Sequence, residues 1–290
     1  MLVEKSTKEE LQMIRLVVDS TFDFSNEFIS SHDIDVVPLS VQFGTCSYKE
    51  KIDLTTEEFY QKMAASSELP KTSQPAPQLW LEVFTKAVET KDQLIVMTLS
   101  SGLSGTYQSA CMAAELCSDA QIEIIDTKNV TLGAQVQALE VLRMIDEGLS
   151  FEEIVTKARE NVSKVRLIAL INTLENLIKG GRLSKVEGAV GSLIAIKPFI
   201  SVDEEGKLIT LSKSRGLRKG ISTMVDTMKN DDIDTSKPMV SGYTYTDEAL
   251  NQFMSACDDE RFIPEMTSNI GAVVGTHAGV NGCAAAYFVK

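Results

Sequence analysis

The chain has 290 residues, of which 43% are hydrophobic, 24% charged and 6% aromatic, a composition typical of a globular protein long enough for two domains. Its formal net charge of −13 argues against nucleic acid or an anionic membrane surface as the main partner. No apolar run approaches the ~20 residues that span a bilayer, and charges interrupt the N-terminal segment before a signal-peptide core can form. The sequence therefore predicts no integral membrane segment, and residues 1–13 are predicted to be a short extension or a tag remnant.

Cysteine and histidine are too few and too scattered to form a zinc site. The five cysteines make no CxxC pair, and the two histidines are His32 and His277. An odd number of unpaired cysteines is typical of a reducing compartment. We therefore expect a cytoplasmic protein without a bound metal.

Strands alternate with helices through the first half of the chain. The predicted strands are RLVVDS, IDVVPLSVQF, QLIVMTL and QIEIIDT. Helices are predicted after the first strand, at TEEFYQKMA, around Trp80, at GTYQSACMAAEL, over 131–147 and from Ser150 to about 163. Capping boxes start two of them, at Thr55 and at Ser150. The nearly continuous apolar strands predict a parallel sheet covered by helices on both faces.

Polar clusters follow three of these strands. They are Asp19–Thr21, Ser100–Gly105 and Asp126–Thr127. Ligands bind beyond the carboxyl ends of parallel strands, so this edge is the predicted site of binding. We expect Ser20 and Thr127 only to cap the helices that follow them.

The second half of the chain has a different pattern. It contains RLIALIN as a strand, a short helix ending at Gly180-Gly181, and a β-hairpin that turns at Glu205-Gly206. A helix over 217–229, strand MVSGYTYT, helix DEALNQFMSAC and two terminal strands, IGAVVGTHAG and GCAAAYFVK, follow. We therefore predict two α/β domains, 14–163 and 164–290.

Two enzyme classes can be weighed against the motifs. The chain has no GxxxxGK[ST] and no GxGxxG opening a helix, so it shows no means of holding ATP by itself. A serine hydrolase could use a serine of SSGLSGT with His277 and an acid such as Asp19 or Asp126, but GLSG is not the GxSxG elbow. Hydrolysis stays open as an alternative.

A site for an anion fits the same residues better. Ser104-Gly105-Thr106 at a helix N-terminus offers a hydroxyl and backbone donors. The proline-bounded segment LPKTSQPAP holds Thr72 and Ser73 in a stiff loop, and His277 could add an imidazole donor. The apolar segment GAVGSLIAI could line a tunnel for an apolar tail.

Positive charge is concentrated between Lys164 and Lys219. This stretch has eleven Lys or Arg against five Asp or Glu, while the whole chain is acidic. It is either a solvated face or a surface that receives an anion.

Seven motifs together resemble the DegV family. In chain order they are VVDSTFDFS, KTSQPAP, SSGLSGTYQSA, IIDT, LIKGGRLSK, IKPFISVDEEGKL with KSRGLRK, and GTHAG. The resemblance implies two α/β domains around a buried long-chain fatty acid, with no other cofactor. It also implies a non-catalytic, fatty-acid-binding subunit of a bacterial fatty acid kinase, whose separate ATP-binding subunit makes an acyl phosphate for phospholipid synthesis.

The resemblance also implies three groups of site residues. The first group, Thr72, Ser104 and His277, binds the carboxylate; Arg182 lies near the headgroup; and Arg215 presents the ligand to the kinase. The loop patterns add Ser73, Ser101 and Gly105 near the headgroup, and the basic stretch adds Arg218 as a second kinase-docking residue. The chain has TSQPA where the family usually has TSQPS, and it lacks the proline common after THxG. A lipid hydrolase, and a fatty-acid sensor or storage protein without a kinase, remain the alternative functions.

Overall fold

The structure is a computed structural model that describes residues 13–184, 196–257, 260–261 and 263–290. The helices are α1 (Asn26–Ser31), α2 (Thr56–Ala65), α3 (Pro77–Thr90), α4 (Thr106–Ala114), α5 (Leu132–Asp146), α6 (Phe151–Asn161), α7 (Glu175–Lys179), α8 (Leu217–Asn230), α9 (Glu248–Ala256) and α10 (Ala272–Ala278). The strands are β1 (Ile14–Asp19), β2 (Asp35–Val37), β3 (Ser40–Phe43), β4 (Cys46–Lys49), β5 (Lys71–Ser73), β6 (Gln93–Thr98), β7 (Gln121–Asp126), β8 (Val165–Leu170), β9 (Ile196–Val202), β10 (Leu208–Arg215), β11 (Met239–Tyr243), β12 (Met266–Asn269) and β13 (Cys283–Phe288).

The predicted parallel sheet is confirmed, with the order β2-β1-β6-β7 and every neighbouring pair parallel. Along β6, Leu94 and Val96 pack with Trp80 of α3, whereas Ile95 and Met97 pack into the core on the other face. This alternation explains the continuous apolar run, because both faces of the strand are buried. The three strand ends that were predicted to carry polar clusters therefore lie along one edge.

The prediction of one strand over IDVVPLSVQF is wrong. The segment forms β2 in the parallel sheet and β3 in a separate antiparallel sheet of order β4-β3-β5, and Pro38 lies between them. Proline has no backbone N–H to donate to a strand ladder, so pairing stops there. The segment predicted as a stiff loop starts as strand β5, where Thr72 pairs with Val41. Thr72 is therefore held by a ladder as well as by the neighbouring prolines.

The larger sheet has the order β10-β9-β8-β13-β11-β12, and its strands all come from residues after Lys164. Its pairs are antiparallel except β11 with β12, and β9 with β10 form the predicted hairpin. Helix α5 contacts β1 and β6 on one side and β8, β11 and β13 on the other. Because α5 lies between the two sheets, it is buried on nearly all sides. The division of the chain into domains near residue 163 stays a prediction.

The prediction of a strand over IGAVVGTHAG is also wrong, because residues 272–278 form helix α10. A β-carbon added to Gly275 would lie 2.5 Å from Tyr60 Oη and 3.0 Å from Phe59 Cε1, so the glycine lets α10 pack closely on α2. The predicted capping roles of Ser20 and Thr127 are wrong as well. Ser20 Oγ donates to Glu50 at 2.5 Å, and Thr127 Oγ1 donates to a strand carbonyl.

Both predicted capping boxes are present. Thr55 Oγ1 accepts from Glu58 N at the start of α2, and Ser150 Oγ accepts from Glu153 N at the start of α6. In each box the glutamate carboxylate accepts a hydrogen bond from the backbone N–H of the capping residue. These helices begin where local side-chain chemistry predicts.

Candidate functional site

A cavity of about 370 Å³ lies between the carboxyl edge of the parallel sheet, the larger sheet and α10. Most of the residues that line it are apolar. They are Leu39, Leu99, Leu103, Val130, Leu167, Ala169, Ile171, Leu177, Ile200, Leu208, Ile270, Val273, Val274, Ala278, Cys283 and Ala284. A concave apolar cavity with a few convergent polar groups is the usual form of a site for a small organic ligand.

The polar residues of the lining come from six separate segments. They are Thr72, Ser73 and Gln74 of the TSQP segment, Ser104 and Gly105 after β6, Arg182 after α7, His277 of α10, and Thr131 and Thr244. Six of the seven residues predicted to bind or approach a headgroup therefore line this cavity. Their roles as ligand-binding residues stay predictions.

Thr72 and His277 meet at the cavity although they are far apart in sequence. Thr72 Oγ1 lies 3.0 Å from His277 Nε2, at hydrogen-bond distance. Burial, with a smaller contribution from the nearby Arg182 charge, lowers the pKa of His277 to about 4. The imidazole is therefore neutral at pH 7, and one of its two nitrogens carries a proton.

The Nδ1 nitrogen of His277 is buried and, within the described part of the chain, has no hydrogen-bond partner. Gly180 packs against this face of the ring. In a serine-histidine-acid triad an acid holds this nitrogen and the serine contacts the other. Here Thr72 contacts Nε2, and Ser104 Oγ lies 2.9 Å from Thr106 Oγ1 instead. The geometry gives no support to the hydrolase alternative.

Arg182 is directed to the cavity by the end of α7. Gly181 has φ +73°, a left-handed conformation that glycine adopts without strain. This residue reverses the chain after α7, and Arg182 N then donates to Leu177 O at 2.9 Å. The guanidinium donates to Leu103 O at 3.2 Å and to Gly180 O at 2.6 Å. Among the described residues it pairs with carbonyl groups and with no carboxylate, so its charge is available to an anion in the cavity.

The TSQP segment and the SSGLSG loop are fastened to each other. Ser109 Oγ of α4 donates to Pro75 O at 2.6 Å, and the Gln74 amide packs on Gly105, where a β-carbon would overlap it. Ser100 Oγ in turn donates to Gly206 O of the hairpin at 2.8 Å. These contacts hold the hydroxyls of both loops at one end of the cavity.

Three predicted residues do not line the cavity. Ser101 donates its backbone N–H to Asp126 at 3.1 Å and accepts from Lys128 Nζ at 3.1 Å. Arg215 and Arg218 are exposed at the end of β10 and the start of α8. The predicted tunnel segment GAVGSLIAI lies outside the described residues except for its last residue.

Sequence reasoning missed Gln74, Gly180, Thr131 and Thr244. Gln74 stands inside the TSQP motif, so its position carried a signal that was not used. Gly180 contacts the His277 ring, and Thr131 and Thr244 reach the cavity from distant loops. No local pattern identifies these contacts, because they arise only when the sheets pack together.

We expect Gly180→Ala to lower ligand affinity at this cavity by roughly tenfold. The backbone at Gly180 is helical, with φ −75°, and accepts any residue, but an added β-carbon would overlap His277 Nδ1 and lie 2.6 Å from Cε1. The ring must then shift away from Thr72, and the loss of this one hydrogen bond, which holds the hydroxyl in place, accounts for a change of that size. Since the motifs resemble those of proteins that enclose a fatty acid, isothermal titration of delipidated protein with oleate measures the change. Lys179→Ala, on the exposed side of α7, is the matched control, and equal affinities of the two variants would contradict the prediction.

These features define an α/β protein with a mainly apolar cavity whose lining also carries neutral hydroxyls, an imidazole and an arginine. Residues 13–290 match the model of the DegV family, described as "Uncharacterised protein, DegV family". The chain belongs to the DegV family. In the described residues no helix is long and apolar enough to cross a membrane.

Relatives and solved structures agree with this assignment. A DegV domain-containing protein of Caldanaerobacter subterraneus is 37% identical over 272 residues, which cover 93% of this chain and 96% of the relative. The structure of DegV, a fatty acid binding protein from Bacillus subtilis, is 29% identical with a TM-score of 0.84, and the match covers 96% of this chain and 100% of that one. The Fatty Acid Kinase (Fak) B3 protein of Streptococcus pneumoniae, loaded with linoleic acid, is 22% identical with a TM-score of 0.85 over 96% and 100% of the two chains.

Proposed function

We propose that this protein binds a long-chain fatty acid in the cavity and presents its carboxylate to a partner kinase. The observation that carries the proposal is the distribution of polarity in the cavity: most of the lining is apolar, and its principal polar side chains are neighbours. Thr72 bonds His277, and the Arg182 charge acts on His277. Arg182 also donates to the carbonyl of Leu103, the residue before Ser104. A fatty acid has the same distribution. Burying its carboxylate without partners would be very costly, and these side chains supply the partners.

Thr72 and His277 act as a pair in this proposal. A threonine hydroxyl has one proton, so it can donate to a carboxylate only if it accepts from its other neighbour. The neutral His277 can supply that bond from Nε2–H, at 3.0 Å from Thr72 Oγ1. The hydroxyl proton then points to the ligand before it binds, which reduces the entropy lost on binding.

The family relationship supports a fatty acid as the ligand. The Bacillus subtilis relative, 29% identical, is described as a fatty acid binding protein. The Streptococcus pneumoniae protein is a component of a fatty acid kinase, but at 22% identity it supports the fold alone. The kinase step in our proposal therefore depends on the motifs and on the surface described below.

Organic extraction tests the ligand directly. We expect mass spectrometry of an extract from protein purified without detergent to show a fatty acid at about one molecule per chain. The Thr72→Val variant, treated identically, is the control for lipid that adheres to the surface. An extract without fatty acid, from folded wild-type protein, would overturn the proposal.

The kinase would bind at a basic surface that includes Arg215 and Arg218. Leu208 lines the cavity at the start of β10, and Arg215 ends the same strand seven residues further on. Because a strand rises about 3.3 Å per residue, roughly 20 Å separate the two ends. Arg215 is not among the residues that line the cavity, and its exposure suits docking. An acidic surface on the kinase would be attracted to it.

In the reaction, a carboxylate oxygen of the bound fatty acid attacks the γ-phosphate of ATP held by the kinase, releasing ADP and forming an acyl phosphate. The fatty-acid-binding subunit supplies no reacting group, and the product serves phospholipid synthesis in the cytoplasm. A protein that stores or senses fatty acid would keep the ligand and never complete this step.

We expect Arg215→Ala to retain bound fatty acid but to slow acyl-phosphate formation with the cognate kinase by several-fold. The wild-type rate should also fall as salt rises, because surface charge pairs are screened within about 10 Å at 0.1 M ionic strength. Lys86→Ala on α3, across the parallel sheet, is the matched control. Loss of the fatty acid from Arg215→Ala would place the residue at the ligand instead. Normal rates in both variants would mean that Arg215 does not dock the kinase and that the positive charge around it is only a solvated face.

A further inference from the structure

Two carboxyl groups, Asp23 and Glu50, are buried at the N-terminus of α10. Asp23 Oδ1 accepts from Gly271 N at 2.8 Å, and Glu50 Oε1 accepts from Val273 N at 2.8 Å. The first N–H groups of a helix have no partner inside it, so these two acids satisfy donors that would otherwise be buried alone. A β-carbon on Gly271 would lie 2.6 Å from Glu50 Oε1 and 2.8 Å from Asp23 Oδ1, so both acids approach the same point of the backbone.

Each acid is itself held in place through its second oxygen. Ser20 Oγ donates to Glu50 Oε2 at 2.5 Å, and Thr131 Oγ1 donates to Asp23 Oδ2 at 2.6 Å. Thr131 also lines the cavity, so this hydrogen-bond network extends from the two acids to the cavity wall. The two acids are thus fixed relative to the parallel sheet, because Ser20 directly follows β1.

Helix α10 has only seven residues, and His277 lies in its last turn. A helix this short has few internal hydrogen bonds, so anchors outside it fix its position. Tyr60 Oη donates to Ile270 O at 2.9 Å just before the helix, and Gly275 packs on the same tyrosine. The two acids instead bind the backbone N–H groups at the start of the helix, so they fix the position of its first turn.

We propose that Asp23 and Glu50 are positioning residues for the headgroup, because they fix the end of α10 opposite to His277 and so hold the imidazole at Thr72. This inference rests on the proposed function, in which His277 orients the Thr72 hydroxyl toward a carboxylate. Neither acid lines the cavity, so each would act through the helix and without touching the ligand.

A double-mutant cycle tests the coupling, with oleate as the probe and delipidated full-length protein. Glu50→Ala removes the acceptor for Val273 N–H, and we expect oleate affinity to fall about tenfold. In a His277→Ala background the same substitution should change oleate affinity less than twofold, because the imidazole that Glu50→Ala would displace is already absent. Equal losses in the two backgrounds would overturn the proposal and leave Glu50 with only a structural role.

Two further measurements distinguish positioning of His277 from a general loss of stability: the oleate affinity of a conservative variant and the tautomer of the imidazole. Glu50→Gln keeps a carbonyl oxygen for Val273 N–H, so oleate affinity should stay within threefold of wild type. The chain has two histidines, so imidazole ¹⁵N spectra, assigned with a His32→Gln variant, report His277 alone. Without ligand, we expect the tautomer of His277 to be unchanged in Glu50→Gln and mixed in Glu50→Ala. A tenfold loss of affinity in Glu50→Gln would contradict the proposal.

The outcomes separate this inference from the proposed function. If Thr72→Val and His277→Ala both bind oleate as wild type does, the headgroup assignment fails, and the imidazole spectra still decide whether the acids position His277. If both bind weakly while Glu50→Ala is additive, only the positioning role fails. Should Glu50→Ala not fold by circular dichroism, Asp23→Ala provides the same cycle, since it removes the acceptor for Gly271 N–H.

Discussion

Thr72→Val is expected to weaken fatty-acid binding by ten- to a hundredfold without unfolding the protein. Valine has nearly the shape of threonine but cannot donate to the carboxylate, and it leaves His277 Nε2 without its partner. A hydrogen bond to a charged group contributes on the order of 1.5–3 kcal/mol, which is roughly one to two factors of ten in affinity. Thr72 lies on a strand paired through its backbone, so the fold does not depend on the hydroxyl.

Titration of delipidated protein with oleate measures this change, and thermal unfolding confirms that the variant is folded. Thr85→Val on α3 is the matched control, because it makes the same chemical change at an exposed position outside the cavity lining. Ser104→Ala should also weaken binding, since its hydroxyl lines the same end of the cavity. Unchanged affinity in Thr72→Val would remove the residue from the headgroup site.

The parts of the fold that sequence predicted well are those set by neighbours in the chain. The capping boxes at Thr55 and Ser150 need only residues three positions apart. The buried parallel strands were visible because both faces are covered, which leaves an uninterrupted apolar run such as that of β6. The hairpin around Gly206 followed from a turn signal between two strand patterns.

The errors occurred where packing decides between two readings of one pattern. Ile270–Gly279 contains valines and small residues that suit either a strand or a helix, and the close approach of Gly275 to α2 favours the helix. Pro38 separates two strands that belong to different sheets, although the apolar pattern continues across it. The short edge strands β4 and β12 carry no clear alternation and were not predicted.

The residues of the site were predictable, but their arrangement was not. Thr72 and His277 are 205 positions apart, and their pairing follows from how β5 and α10 are placed by other elements. The motifs named both residues through the family resemblance, without geometry. Asp23 lies in the motif VVDSTFDFS and Glu50 in none of the motifs, but no role was predicted for either. A buried acid cannot be told from a solvated one until the backbone donors that face it are known.

Buried carboxyl groups should make the free energy of unfolding fall as pH rises from 5 to 7. Burial, together with the charge of Asp23, raises the pKa of Glu50 to about 7, and burial raises the pKa of Asp19 to about 6. An acid whose pKa is higher in the folded state stabilises the fold below its unfolded pKa, and that contribution is lost as pH rises through the folded pKa. At 1.36 kcal/mol per pKa unit, Glu50 contributes on the order of 3 kcal/mol.

Other groups act in the same window or below it. The titratable groups that face Glu50 are Asp23, Lys51 and Tyr60. Its ionised form is favoured by the Lys51 charge and by the hydrogen bonds from Ser20 and Val273 N–H, but burial outweighs them. His277 has the opposite sign, since its pKa is lowered to about 4 and the fold gains stability as pH rises toward 6.5. Carboxyls with lowered pKa, such as Glu153, are already ionised above pH 5. The wild-type curve alone therefore mixes these contributions.

Glu50→Gln isolates the contribution of Glu50, because glutamine keeps the acceptor for Val273 N–H and cannot ionise. We expect the unfolding free energy of Glu50→Gln, relative to wild type, to improve by up to about 3 kcal/mol between pH 5 and pH 8. Urea unfolding at the two pH values measures it, with Glu57→Gln on the exposed side of α2 as the control, for which the difference should be near zero. Parallel pH dependence in Glu50→Gln and wild type would mean that Glu50 is ionised in the folded protein at both pH values. Asp23 and Glu50 would then hold α10 as two anions. The Lys51 charge would in that case stabilise the ionised form of Glu50 by more than burial destabilises it.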